Sequence, residues 1–202
     1  MLRNSIFLAL VVLGLAAFST AQEQRSEIAV QGTGFFTKDA SGQGVSQHAT
    51  DTGGFLVSYR YWFSRWVGAQ ADYGYDRNTQ QFLSGPSLSE VQANIHQVIG
   101  GFVFGLPHPS FLRISPYALA EGGALVFDPT GNLGGSVPGT DVQSRGTFVY
   151  GAGANVPLTR HFSLRAEYRG LVYNEPDFGV RRLGADTWTH VAQPSAGIVF
   201  RF

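Results

Sequence analysis

The run Ser195-Ala196-Gly197-Ile198-Val199-Phe200-Arg201-Phe202 puts large apolar side chains on alternate positions as far as Phe202. Successive side chains of a strand point to opposite faces, so Ala196, Ile198, Phe200 and Phe202 share one face. Ser195, Gly197 and Arg201 share the other, with Val199 its apolar exception. A face that apolar must be covered, either by a second sheet or by lipid, and this choice governs the reading of the rest of the chain.

The other end of the sequence bears on that choice. Met1-Leu2-Arg3-Asn4 carries one positive charge and leads into an apolar run from Ile6 to Phe18, followed by Ser19-Thr20-Ala21. This is the pattern of a secretory signal peptide over residues 1–21, with small residues at Ser19 and Ala21 for cleavage and a mature start at Gln22. The apolar run, about 13 residues, is short of the ~20 that a spanning helix needs. No later segment is continuously apolar over that length, so a mature chain within a membrane would cross it as a closed barrel of strands. The sequence has no cysteine, which excludes disulfide frameworks and thiolate metal sites. Its 14 Lys and Arg balance 14 Asp and Glu, leaving no basic footprint for nucleic acid.

Period-two alternation marks eight candidate strands within residues 22–202: Ser26 to Phe36, Gly53 to Phe63, Trp66 to Arg77, Glu90 to Phe104, Arg113 to Phe127, Gly146 to Pro157, His161 to Tyr173 and Thr187 to Phe202. Each reaches the roughly 9 to 11 residues of a tilted transmembrane strand, where strands of soluble proteins average about five or six. Long polar connections (Thr37 to Thr52, Asn78 to Ser89, Asp128 to Arg145, Asn174 to Asp186) alternate with short ones (Ser64-Arg65, Gly105 to Leu112, Leu158 to Arg160). The predicted fold is all-β: an eight-stranded antiparallel up-and-down transmembrane barrel. Long loops at one end and short turns at the other are how such barrels are built, and 26 Gly with only 14% charged residues suit a thin wall.

The third strand separates its faces cleanly. Val67, Ala69, Ala71, Tyr73 and Tyr75 would face lipid, while Gly68, Gln70, Asp72, Gly74 and Asp76 face inward, where replacement of Gln70 by Ser should be nearly silent. The seventh repeats this, with Phe162, Leu164, Ala166, Tyr168 and Val172 outward and Ser163, Arg165, Glu167 and Arg169 inward. Aromatic residues gather near the two boundaries. Phe63, Trp66, Phe111, Phe162 and Phe202 lie at the short-turn end, and Phe36, Phe55, Tyr75, Phe127, Phe148, Tyr173 and Trp188 at the long-loop end. The fifth strand leaves two options, because Glu121 shares parity with Tyr117 and Leu119. Either a bulge near Gly122-Gly123 shifts the register, or Tyr117 and Leu119 point inward.

With Ser115-Pro116-Tyr117-Ala118, Gly151-Ala152-Gly153 and the closing Ile198-Val199-Phe200-Arg201-Phe202 in this order, the chain resembles the small eight-stranded barrels of the OmpA/OmpX-like outer-membrane family. The resemblance implies residence in the outer membrane of a Gram-negative bacterium. It also implies Ile198, Phe200 and Phe202 as an assembly signal, and as partners the barrel assembly machinery, periplasmic chaperones, outer-membrane lipid and lipopolysaccharide, with a monomeric barrel. No wall-anchoring domain is expected after Phe202.

Little in the chain argues for chemistry. His161, Ser163 and Glu167 share parity and superficially resemble the His-x-Ser and Glu of lipid A deacylases. In that family the pair faces lipid near the outer surface, whereas here it would lie inward beside a short turn. His48, His96, His108 and His190 show no metal-ligand spacing, and the Gly-x-Gly pairs lie inside strands with no helix after them. No catalytic, metal or cofactor residues are therefore expected. Arg60, Asp72, Gln92, Asn94, His96, Arg165, Glu167 and Arg169 are read as a polar network filling the lumen, with Arg165 and Arg169 flanking Glu167, because an eight-stranded barrel is just wide enough for side chains to fill it. The leading role is structural or surface-binding. A narrow channel, a lipid-modifying enzyme and a soluble lipocalin-like barrel are the alternatives.

If the terminal aromatic is an assembly signal, deletion of Phe202 will lower the amount of barrel inserted in cells and leave refolding into detergent largely intact. Surface labelling of cells beside in vitro refolding yields reads the difference, and normal surface levels of the deletion would refute the role.

Overall fold

Strand pairing in the computed structural model passes from neighbour to neighbour until it returns to its starting strand. The structure describes residues 25–37, 40–42, 45–49, 52–84, 87–107, 114–129, 142–174 and 188–202. Residues 1–21, read above as a signal peptide, fall outside them, as do Phe111 and His108. The strands are β1 (Ser26–Thr37), β2 (Ala40–Gly42), β3 (Val45–Ala49), β4 (Thr52–Trp62), β5 (Val67–Ser84), β6 (Ser87–Gly105), β7 (Ser115–Pro129), β8 (Gln143–Pro157), β9 (Phe162–Asn174) and β10 (Trp188–Arg201). No helix occurs among the described residues. Eight strands run β5-β4-β1-β10-β9-β8-β7-β6, all antiparallel, and the β5–β6 pairing closes the ring.

The register fixes the shape. Stepping from partner to partner, a path leaves β9 at Tyr173 and passes Thr147, Gly123, Ile99, Asp72, Ser58, Ala29 and Val199. It re-enters β9 at Ser163, ten residues lower. A stagger of that size on eight strands tilts them by roughly 40° to the barrel axis. The backbone of Phe202 takes part in closure: Ser26 N donates to Phe202 O at 3.2 Å and Phe202 N to Ser26 O at 2.9 Å.

Two short turns use the same local chemistry. In Phe63-Ser64-Arg65-Trp66 the Ser64 hydroxyl oxygen accepts from Trp66 N and Val67 N, at 3.2 and 3.1 Å. In Leu158-Thr159-Arg160-His161 the Thr159 hydroxyl oxygen accepts from His161 N and Phe162 N, at 3.4 and 3.0 Å. A Ser or Thr at this position holds backbone donors that the turn leaves without ladder partners.

The structure differs from the sequence reading at the long connections. Asn78 to Ser89 is not loop, because β5 and β6 stay paired up to Ser84 and Ser87. Within Thr37 to Thr52, β2 and β3 form a hairpin that docks on β5 above the part of β5 paired with β4. Ladder hydrogen bonds need no alternating apolar face once the strands have left the apolar band, so the two-residue period is silent there. On β7 the register to both neighbours is continuous, with Ile99 opposite Gly123 and Gly101 opposite Glu121. No bulge is present, and Tyr117, Leu119 and Glu121 all point into the barrel, at 1%, 3% and 3% exposure.

Burial on β5 alternates as the residues dictate, with Gln70, Asp72 and Asp76 inside and Ala71 and Tyr73 outside. Ala71 lies near the middle of the outer face. Ala71→Arg should therefore cost roughly 2 to 4 kcal/mol if that face meets the bilayer midplane, read as a lowered urea midpoint of barrel refolded into vesicles.

Candidate functional site in the barrel interior

The inward side chains form a charged column above the short-turn end and an apolar layer towards the long-loop end. At the bottom Glu27 of β1 accepts from three strands. Arg201 Nη2 and Nε reach its Oε1 at 2.6 and 3.0 Å, Trp62 Nε1 reaches Oε1 at 3.0 Å, and Arg165 Nη2 reaches Oε2 at 2.7 Å. Arg60 Nη1 stands 3.8 Å from Glu27 Oε2, while its Nε donates to Gln70 Oε1 at 2.6 Å and its Nη2 lies 3.5 Å from Glu167 Oε2. The Arg60 guanidinium stacks 4.0 Å above the Tyr117 ring, and the Tyr117 hydroxyl donates to Glu167 Oε2 at 2.5 Å.

Above this level Arg169 Nη2 pairs with Asp72 at 3.1 Å and with Glu121 at 3.2 Å. Higher still, Asp76 is held by neutral donors: Thr33 Oγ1 at 2.9 Å, Gln97 Nε2 at 2.7 Å and Gln193 Nε2 at 3.4 Å. Phe35, Ile95, Leu125, Phe127, Leu171, Tyr173 and Val191 then fill the bore, all 2% exposed or less, with the Phe127 and Tyr173 rings 5.8 Å apart. At the short-turn end a vestibule of about 750 Å³ opens, lined by Arg25, Arg65, Trp66, Trp62 and Arg201 and floored by Glu27, Tyr117 and Asn155.

Glycine lets these side chains reach across the wall. Tyr117, Gly153 and Glu167 lie in one row on β7, β8 and β9. A Cβ on Gly153 would meet the Tyr117 ring that passes over it to Glu167. Asp76, Gly54 and Thr33 repeat the arrangement on β5, β4 and β1, where a Cβ on Gly54 would collide with the Asp76 carboxylate. Gly151-Ala152-Gly153 is thus a packing motif on the inner face.

Of the residues assigned to the lumen, the structure brings Arg60, Asp72, Arg165, Glu167 and Arg169 together inside the barrel. It corrects Asn94 and His96. Both lie on the outer face of β6, where Asn94 Oδ1 accepts from the Tyr75 hydroxyl at 3.0 Å and His96 Nδ1 lies 2.9 Å from the Tyr73 hydroxyl. Gln92 sits two and four residues from them on the same strand, and its side chain lies outside the described residues. On β6 the inward parity belongs instead to Ile95, Gln97, Ile99 and Val103. Polarity is a poor guide there because the outer face turns polar near the rim and the inner face of this wall, Gln97 apart, is apolar.

Arg165 and Arg169 do not flank Glu167 as a strand-local network. Each pairs with a non-adjacent strand through the interior, Arg165 with Glu27, Arg169 with Asp72 and Glu121, and Glu167 with Arg60. Side chains two apart on one strand stand parallel, so their charged ends meet partners on facing strands more readily than each other. Phe127 and Tyr173 belong to the inner layer and not to the outer aromatic belt. His161 and Ser163 do not share a face: the His161 ring stacks with Phe200 at 6.2 Å on the outside, and Ser163 is buried within. Ile198, Phe200 and Phe202 do share the outer face, and Phe200 packs against Phe162 and Phe202 at 5.3 and 5.7 Å. Gln31, Glu27, Asp76, Gln97, Glu121 and Gln193 also belong to the interior, and period-two parity on their strands was the signal for them.

Comparison with known proteins agrees with this architecture. A family described as outer membrane protein beta-barrel domain matches residues 5–202. Among solved structures, Neisserial surface protein A is similar with a TM-score of 0.62 at 16% identity, over 88% of this chain and 97% of that one. OprG from Pseudomonas aeruginosa gives 0.58 at 13% identity over 88% and 95%. Ail, the attachment invasion locus protein of Yersinia pestis, gives 0.51 at 21% identity over 90% and 100%. No protein of curated function is significantly similar in sequence.

The shared carboxylate of Glu27 dominates the column. Glu27→Ala strands Arg165 and Arg201 without an anion, and removing one partner of a buried pair typically costs about 3 to 5 kcal/mol. Gln70→Ser is no longer expected to be silent, since it takes the acceptor from Arg60 Nε, and should cost about 1 to 3 kcal/mol. Urea unfolding of the refolded barrels should rank Glu27→Ala below Gln70→Ser, and both below the parent.

Proposed function

Because the chain belongs to the outer membrane protein beta-barrel domain family, a family of the Gram-negative outer membrane, we propose that it serves there as a closed-bore barrel with a structural or surface-binding role and no enzymatic activity. The observation that supports this best is the filled interior: a column of ion pairs tied across the bore and an apolar layer above it. Ions crossing that column would have to displace charges already paired with one another, and the apolar layer, whose polar groups are few, adds little to solvate them.

A surface-binding role is supported by β5, β6 and the β2–β3 hairpin, which carry paired strands past the last residues of β4 and β7. They form a paired scaffold on which loop residues can meet a partner, as loops on fixed scaffolds commonly do. Its surroundings are outer-membrane lipid and lipopolysaccharide, and delivery by periplasmic chaperones and the barrel assembly machinery, as a monomer, goes with this reading. The separation of His161 from Ser163 argues against lipid deacylation.

Planar-bilayer recording of the refolded full barrel tests the closed bore. The parent should show no stepwise conductance, while Arg169→Ala combined with Phe127→Ala and Tyr173→Ala should open small steps. Regular steps in the parent would overturn the reading in favour of a narrow channel. Mass spectrometry of lipid A from cells with and without the protein should give identical spectra.

A further inference from the structure

We propose that the upper rim of the outer face holds two sites for lipid phosphate, one built on Tyr73, Tyr75, Asn94 and His96 and the other on Tyr150 and His190. In each the tyrosine hydroxyl is turned onto a polar neighbour. Tyr73 OH lies 2.9 Å from His96 Nδ1, Tyr75 OH donates to Asn94 Oδ1 at 3.0 Å, and Tyr150 OH lies 2.7 Å from His190 Nε2. On β5 and β6 the geometry is repeated. Tyr73 stands opposite Val98 and Tyr75 opposite His96, so each ring leans to the residue two places above its partner. On the other side Tyr150 stands opposite Gly170 of β9, and a Cβ there would meet its ring at 2.6 Å. Since there is none, the ring crosses β9 and reaches β10.

The consequence is a surface of hydrogen-bond donors. A phenol has one proton, and on an outward face of apolar neighbours the histidine nitrogen or amide oxygen is its available acceptor. With the phenol as donor, an assignment that is part of the proposal, the neutral imidazole carries its proton on the second nitrogen. What remains outward is His96 Nε2–H, His190 Nδ1–H and the Asn94 amide hydrogens, none of which bonds another protein group among the described residues. An aromatic belt accounts for the tyrosine rings at this level but not for three hydroxyls each paired with a polar side chain nearer the rim.

Depth and position select the ligand. His190 lies ten residues up β10 from Phe200, and His96 eight residues up β6 from Phe104. At about 3.3 Å per residue and a tilt of about 40°, these are roughly 25 and 20 Å along the axis, near the upper edge of an apolar band about 25 Å tall. The two sites face nearly opposite sides of the ring. Donors alone at headgroup depth match an anionic, acceptor-only group, and a lipid phosphate supplies it. Arg77, outward on β5 and opposite Asn94, adds positive charge to the first site, while Asp128, opposite Asn94 on β7, opposes it. The proposal rests on the barrel lying in a bilayer and not on its bore being closed, so conductance would leave it intact.

Native mass spectrometry of the full barrel refolded in phosphate-free maltoside micelles tests it, with phosphatidylglycerol, lipid A and the phosphate-free digalactosyl diacylglycerol as probes. Two phosphorylated lipids should be retained per barrel and the digalactosyl lipid none, and millimolar inorganic phosphate should not displace them. His96→Phe and His190→Phe should each abolish retention at one site, or weaken it about tenfold, as the loss of one charge-assisted hydrogen bond implies. Asp128→Asn should tighten the first site, which a purely structural role would not predict. Tyr73→Phe and Tyr150→Phe keep the rings and should reproduce the weakening if the histidine variants fail to fold, as judged by heat-modifiable migration. Unchanged retention in the doubly substituted barrel, equal retention of the phosphate-free lipid, or displacement by free phosphate would overturn the proposal.

Discussion

Closure of the hydrogen-bonded wall is the constraint from which the other features of this molecule follow. In a bilayer a strand edge has no water to satisfy its N–H and C=O groups, so the sheet must return to itself. It does so through β5–β6 and β1–β10, and the last bonds of the second seam are made by the backbone of Phe202 with Ser26. The stagger of that closure sets the tilt, the tilt sets the bore, and the bore decides how many side chains must share the interior. The apolar alternation ending at Phe202 is therefore also the edge where the barrel is sealed.

Within a bore of fixed width the inward side chains cannot be chosen one at a time. Burying a guanidinium or a carboxylate is costly unless it is paired and hydrogen-bonded, and here the charges of the column are met from non-adjacent strands: Arg165 by Glu27, Arg169 by Asp72 and Glu121, Arg60 by Glu167. Such pairs tie β1, β4, β5, β7 and β9 through the interior as the ladder ties neighbours around the rim. Glycine complements them, since Gly153 and Gly54 give up their side-chain volume so that Tyr117 and Asp76 can cross a strand. The apolar layer of Phe35, Phe127, Leu171 and Tyr173 above then needs no charge partners and finishes the filling.

The outer face obeys the opposite rule with one exception. Along the band it presents Ile198, Val98, Phe102 and Leu164, exposed because lipid replaces the second layer that a soluble sheet would need. At the rim it changes to Tyr, His and Asn, which satisfy each other before they meet the headgroups. Polarity on this face consequently reports depth in the membrane, whereas polarity on the inner face reports the partner across the bore.

The sequence by itself determined the barrel: eight alternating segments, their order, and the facing of β5 and β9 down to Gln70, Asp72, Arg165, Glu167 and Arg169, because period-two alternation is a property of the local backbone. It did not determine which charges pair, since Arg165 and Glu27 are 138 residues apart and meet only after the ring closes. Tyr173 stands four residues from Arg169 and so shares its inward face, although its aromatic character and its place at the long-loop end suggest the belt. On β6, Asn94 and His96 look like lumen residues, and only the tertiary structure shows that wall to be apolar inside apart from Gln97 and polar outside at its rim. On β7 the options for Glu121 were separated by the continuous register to β6 and β8. Facing is written along a strand, but which polar groups lie deep and which at the surface depends on the height given to each strand by closure and tilt, and that height exists only in the closed barrel.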